Sequence, residues 1–404
     1  MVSGLYAKWM YAWETALTTR DENRVERPLE WGFEHLADVG GLAAVAALER
    51  GEATSLAAMS ALSDRLVREA DSFFQYRTPV DFGLEERHPE LFPTNVRPET
   101  LAEDREYRRR AEAGEMRRAP YLRFSSAVRT GYPENDVVNA RWYEASARGA
   151  MDGKASPRQA MIVLPQWNAD AVSHNALCDL FLRFGVSSLR LSKPYHDIRR
   201  PAELERSDYA VSANVGRTIN AARQAVADIR SCCDWLESQG YEQIGVLGTS
   251  LGSCYSFLAA AMDPRLRVCA FNHVSMSFGD VVWEGQSTRH VQSALEHAGL
   301  SQGDAQRIFA CISPSRYMDR YAATAKWCDR QTLVVHATYD LTFPLAGSLA
   351  VLRGMDEHGI AHMSKVLPCG HYTTGETPYK YIDGWYLGSF VWRAFRSLRR
   401  AVSA

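Results

Sequence analysis

The sequence lacks a long apolar run. No window approaches the eighteen or so apolar residues that a membrane-spanning helix needs, so no membrane span is expected. It also lacks a charge of one sign: 46 Lys and Arg stand against 48 Asp and Glu, a formal net charge of −2. Such a chain has no global field to gather nucleic acid or an anionic membrane, and no nucleic-acid partner is expected. Cysteine is sparse and unpatterned. Of the eight, Cys232 and Cys233 are adjacent, and none stands at metal-ligand spacing. Cys254 and Cys269 lie in apolar runs, where a thiol behaves as a small buried hydrophobe. Neither a metal nor another cofactor is expected. The stretch "MVSGLYAKWMYAWETAL" is cut by Lys8 and Glu14, so it does not read as a secretory leader, and a cytoplasmic protein with reduced thiols is expected. Internal repeats and low-complexity tracts are missing too.

What is present is a 404-residue chain with 46% hydrophobic and 23% charged residues, ample for a large core. Residues 1–115 read as a helical region. "GGLAAVAALERGEATSLAAMSALSDRLVREADSFF" carries apolar residues at three- and four-residue spacing, and "ETLAEDREYRRRAEAGEMRRA" reads as a charged, solvated helix. A Pro-containing connector (Pro79, Pro89, Pro93, Pro98) separates them. Leu5, Trp9, Trp13 and Leu17 form a stripe on the first helix, expected to dock on the protein's own core.

From about residue 116 strands alternate with helices. "YLRFSSAVRT" and "DVVNARWYEA", joined by "GYPEN", predict an antiparallel pair. Then "AMIVLP", "SSLRLS", "QIGVLGTS", "VCAFNHV", "QTLVVHAT" and "MSKVLP" recur between helical stretches. Apolar strands alternating with helices imply an α/β fold, here an eight-stranded, mostly parallel sheet with helices on both faces.

The chemistry gathers at strand ends. "GVLGTSLGSC" sets Ser250 between Gly248 and Gly252, with a strand before it and a helix after it. A serine in so sharp a turn needs neighbours without bulk two residues to either side, and the helix N-terminus lends it free N–H groups. A hydroxyl is a weak nucleophile and needs a base oriented by an acid. "TLVVHATYDLTFP" ends a strand at Asp340, and "KVLPCGHYTTG" ends another at His371. The open edge of an α/β sheet is where such sites form. His336, His358 and His362 are poorer bases by position. His273 could reach the cleft, but no acid follows it in the expected order. Asp356 and Asp383 fall in helix or late loop.

With the elbow Gly248-Thr249-Ser250-Leu251-Gly252, acid Asp340 and histidine His371 in this order, the chain from about residue 119 resembles the α/β-hydrolase superfamily. The resemblance implies a serine hydrolase, most often of carboxylic esters, acting on a small-molecule ester without a cofactor. It also implies an oxyanion hole from the Leu251 N–H and a second N–H in "VLPQWNAD". Gln166 replaces the usual glycine there, leaving Gln166 and Trp167 as alternative donors. Residues 276–328, after "VCAFNHV", are expected to form a helical lid over Ser250. Trp167, Tyr195, His196, Trp283 and Tyr372 are the candidate substrate-binding residues. Thioesterase, peptidase or acyltransferase chemistry would use the same triad, and a non-catalytic binding protein could keep the fold. The composition suits a homo-oligomer as well as a monomer.

Overall fold

A computed structural model describes residues 2–20, 23–94, 98–146 and 157–403. The strands are β1 (Gly83–Arg87), β2 (Ala119–Ser125), β3 (Val137–Tyr143), β4 (Arg158–Leu164), β5 (Ser187–Leu191), β6 (Tyr241–Thr249), β7 (Leu266–Asn272), β8 (Gln331–Ala337) and β9 (Met363–Leu367). They form one sheet in the order β1-β2-β3-β5-β4-β6-β7-β8-β9. β1, β2 and β3 run antiparallel to their neighbours, and from β5 to β9 every pairing is parallel.

The sheet therefore has nine described strands where the sequence predicts eight. The addition is β1, "GLEER", which pairs with β2 at the sheet's edge inside the segment read as helix and connector. Its residues are almost all exposed, so no apolar alternation marks it.

The helices are α1 (Val2–Thr19), α2 (Gly41–Glu49), α3 (Ser55–Arg68), α4 (Ala70–Phe73), α5 (Pro98–Glu112), α6 (Asn175–Arg183), α7 (Val215–Ser238), α8 (Leu251–Met262), α9 (Phe278–Glu284), α10 (Arg289–His297), α11 (Gln302–Ile308), α12 (Met318–Cys328), α13 (Leu345–Glu357) and α14 (Tyr379–Ser403). Strand alternation sorts them into two layers. Ala160, Ile162 and Leu164 of β4 face a core with α3, α7, α8 and residues 278–321. Met161 and Val163 face the other core, with Phe181 of α6, Met10 of α1, and Leu387, Val391 and Phe395 of α14. α7 is buried along nearly its whole length, and its N-cap is the Asn214 side chain, which accepts from Arg217 N–H at 2.9 Å.

The segment before β1 is no loose appendage. Met59, Leu62, Leu66, Phe73 and Phe74 belong to the same continuous core as α7 and α8. Asp38 pairs with Arg223 of α7 at 2.8 Å, and Ser63 Oγ accepts from Cys311 N–H at 3.1 Å. α1 lies on the opposite face, and half of the expected stripe takes part: Trp13 packs against the second core and Leu17 is half-buried, while Leu5 is 71% and Trp9 52% exposed. Met10, Glu14 and Thr18 are fully buried. The helix is rolled so that a mixed polar face docks, because the groove beneath it offers hydrogen-bond donors as well as apolar surface. No helix among the described residues is long and apolar enough to cross a membrane.

Candidate active site

The turn between β6 and α8 is built by two close approaches. A Cβ on Gly248 would lie 2.2 Å from the Gly252 carbonyl oxygen, and one on Gly252 would lie 2.4 Å from the Leu164 oxygen. Both obstacles are backbone, so only glycine fits either position. Between them Ser250 takes φ 57 and ψ −122, a strained conformation for a residue with a side chain. Its N–H donates to the Asn272 carbonyl at 2.7 Å, which ties the turn to the end of β7. The first N–H groups of α8 have no intrahelical acceptor, and that of Leu251 comes immediately after the serine.

A continuous relay leads away from the hydroxyl. Ser250 Oγ is 2.8 Å from His371 Nε2, and His371 Nδ1 is 2.8 Å from Asp340 Oδ2. The other carboxylate oxygen, Oδ1, accepts the N–H groups of Thr342 at 2.8 Å and Phe343 at 2.6 Å. Phe343 stacks on the His371 ring at 5.1 Å, with planes 12° apart. With Cys254 and Val281 it forms a small apolar cluster beside the relay.

His273 joins this relay, although its place in chain order argued against it. Its Nδ1 lies 3.1 Å from the same Asp340 Oδ2, and its ring centroid is 4.6 Å from that of His371. Burial holds His273 below the ordinary histidine range; Asp340 offsets this in part, and His371 adds to it. Burial also presses down on His371, but the Asp340 carboxylate, with a smaller contribution from Glu14, reverses that and raises it. Burial pushes Asp340 upward, yet the two imidazoles outweigh it and hold the carboxyl well below its usual range. One carboxylate thus serves two imidazoles, of which His371 takes the proton and His273 stays neutral. His273, Asp340 and His371 are also the one metal-compatible cluster among the described residues. Their facing atoms are already bonded to one another, and a cation there would pull both imidazoles off the carboxylate that orients them.

The loop after β4 passes directly under the turn, since the Leu164 and Pro165 oxygens are the nearest atoms to Gly252. Buried Lys193 donates from Nζ to the Gln166 carbonyl at 2.9 Å. In a trans peptide the C=O and the following N–H point opposite ways, so the Trp167 N–H is directed away from Lys193. The Trp167 indole donates to Ser207 O at 3.0 Å and stacks on His290 at 6.0 Å. Neighbouring His174, pushed down to about 3 by burial, bonds the Thr249 hydroxyl at 2.9 Å.

Of the other sequence candidates, Tyr372 adjoins the relay: its ring is 6.0 Å from His371, and its hydroxyl accepts from Ser287 at 3.2 Å. Residues 286–290 run from there to the Trp167 ring, spanning the two sides of the site. Ser250 beneath them is 4% exposed. Tyr195 and His196 do not come to the site as cleft walls. Both are 1% exposed; Tyr195 packs between Tyr132 and Tyr209, and His196 bonds the Pro194 carbonyl at 2.8 Å. The loop after β5 turns inward because Arg190 binds Asp197 at 2.6 Å and Arg199 binds Asp228 at 2.8 Å, both pairs buried. Trp283 packs against the larger core.

Residues 218–381 match the profile of the prolyl oligopeptidase family, a span containing the elbow, Asp340 and His371. Among solved structures, acetyl xylan esterase 1 from Thermoanaerobacterium sp. JW/SL YS485 superimposes with a TM-score of 0.50 at 14% identity, over 81% of this chain and 93% of that one. The chain has the α/β-hydrolase fold. Two other structures similar to this chain give lower scores. A 2,6-dihydroxy-pseudo-oxynicotine hydrolase aligns over 95% of both chains at 12% identity, TM-score 0.49. The acylaminoacyl peptidase of Pyrococcus horikoshii aligns over 67% of this chain at 11% identity, TM-score 0.48, and this chain spans only 40% of that peptidase's length. Among curated proteins the sequence finds no match.

Proposed function

We propose that this chain hydrolyses carboxylic esters through an acyl-enzyme on Ser250. The observation that carries the reading is the unbroken relay from Ser250 Oγ through His371 to Asp340, with both links at 2.8 Å. His371 Nε2 accepts the hydroxyl proton as Oγ attacks the ester carbonyl. The tetrahedral oxyanion is held by the N–H groups of Leu251 and Trp167, each donor worth on the order of 3 kcal/mol. Collapse breaks the bond to the alkoxide, which leaves as the alcohol with the proton from His371. Water then repeats the sequence on the acyl-enzyme, releasing the acid and restoring Ser250. Asp340 holds the His371 tautomer and stabilises its positive charge.

A second reading, amide hydrolysis on the same apparatus, is favoured by the match to the prolyl oligopeptidase family. Initial rates on p-nitrophenyl esters of increasing chain length beside peptide p-nitroanilides separate the two. Fluorophosphonate labelling of Ser250 tests both. Faster turnover of the esters supports the first reading, faster anilide turnover replaces it with the second, and a wild-type protein that neither labels nor turns over either panel refutes both.

A further inference from the structure

Glu14 is a fully buried carboxylate on the N-terminal helix, 358 residues from the backbone it binds. Its Oε1 accepts from Tyr372 N–H at 2.8 Å and its Oε2 from Thr373 N–H at 2.9 Å, so both oxygens hold the two residues that follow His371. On the other side of that histidine, Gly370 lets the carboxylate in, since a Cβ there would lie 2.3 Å from Oε2. The same helix grips this segment at two earlier turns. The Tyr6 hydroxyl bonds the Pro368 carbonyl, and Met10 Sδ accepts from the Thr373 hydroxyl at 3.6 Å.

Met10 sits in the second core, and Tyr6 and Trp13 pack against it, so the helix has apolar contact with the sheet apart from Glu14. A buried carboxylate is costly unless charge or strong hydrogen bonds offset it, so its placement calls for a separate reason. We propose that Glu14 is a positioning residue for His371, fixing the loop that aims the imidazole at Ser250 and adding a second negative charge beside the ring. The proposal rests on His371 acting as the base. Besides Glu14, the charged or titratable side chains around the ring and its loop are Asp340 after β8, His273 after β7, Cys369, the phenols of Tyr372 and Tyr6, and His336 behind Asp340. Burial pushes the Cys369 thiol to about 12, so it is neutral, and His273 is neutral as well. Asp340 and Glu14 are therefore the two carboxylates facing His371, and both raise it; burial lifts Glu14 itself above its ordinary value, and the two backbone N–H groups and His371 pull it back toward the charged form.

Glu14→Gln keeps the shape but removes the charge and one acceptor. The assay is the rate of fluorophosphonate labelling of Ser250 against pH, which needs no identified substrate, with melting curves to establish folding. Folded Glu14→Gln is expected to label roughly ten- to a hundredfold more slowly on the plateau. Its rising limb should move about half a pH unit or more to lower pH. Thr18→Val, which removes the bond from the same helix to Gln286, should leave that midpoint in place. If Glu14→Gln does not fold, Glu14→Asp carries the test: it keeps the charge and withdraws the carboxylate, so labelling should slow while the midpoint stays. An unchanged rate and midpoint in folded Glu14→Gln, or an unslowed Glu14→Asp, overturns the proposal. A wild-type protein that does not label at Ser250 overturns the hydrolase reading instead, so the two failures are distinguishable.

Discussion

Replacing Asp340 with Asn should cost far more than one hydrogen bond, and the structure gives the reason. Oδ1 of Asp340 already accepts two backbone N–H groups, while Oδ2 accepts from His371 and His273. An asparagine has one acceptor oxygen and one NH2 donor. Turning the NH2 toward Thr342 and Phe343 would set donor against two donors, so the oxygen stays there and the NH2 faces the imidazoles. His371 must then accept at Nδ1 and carry its proton on Nε2, pointing at Ser250. In that tautomer it cannot take the serine proton. Sites of this type lose about 10⁴ in kcat on such a change, or roughly 5 kcal/mol of barrier. The assay is kcat on p-nitrophenyl acetate between pH 6 and 9, with a melting curve to establish the fold. A folded Asp340→Asn variant that keeps more than a tenth of the activity would refute the tautomer argument and the acid assignment with it.

Because His371 is raised above the ordinary histidine value and acts only when neutral, kcat/KM should rise with pH through a single ionisation above that value and then level off; a midpoint below it would contradict the ion pair with Asp340. Gly252→Ala would drive a methyl group into the Leu164 and Pro165 carbonyls, prising the β4 loop from the turn. Stability should fall by roughly 1–3 kcal/mol in urea melts and kcat should drop, whereas an unshifted midpoint would deny the close approach. Burial lifts Asp383 to about 7, against which its bond from Asn272 at 2.9 Å works only in part. A carboxyl raised in the folded state contributes stability that is complete below its unfolded pKa and is lost as pH rises through the folded one. Wild type should therefore lose a few kcal/mol between about pH 4 and 7 that Asp383→Asn does not, and parallel urea midpoints for the two proteins would count against it.

Strand-end chemistry was the most legible part of this chain. Ser250 and Asp340 follow the buried parallel strands β6 and β8, whose close can be read from residue pattern alone, and His371 follows the short edge strand β9, whose residues are mostly exposed. Contacts that depend on how elements roll or fold back were not legible. The aromatic stripe on α1 suggested a docking face of which Trp13 packs on the core, and the helix is rolled toward Glu14 because backbone donors at 372 and 373 select that carboxylate. Tyr195 and His196 sit after a strand, as cleft residues do, yet buried arginine–aspartate pairs draw their loop inward. His273 occupies the right edge but violates the chain order by which an acid is matched to its base. β1 left no trace because an exposed edge strand needs a partner's ladder and no apolar face.

The grip of α1 on residues 368–373 also bears on synthesis. The helix Val2–Thr19 must wait for a loop more than 350 residues further along the chain before its buried carboxylate finds its donors. Contacts of such sequence separation form late, because the chain between them must first be ordered. Until residues 368–373 are in place Ser250 has no aimed histidine beside it, so a partly made chain carries its serine in an unarmed form.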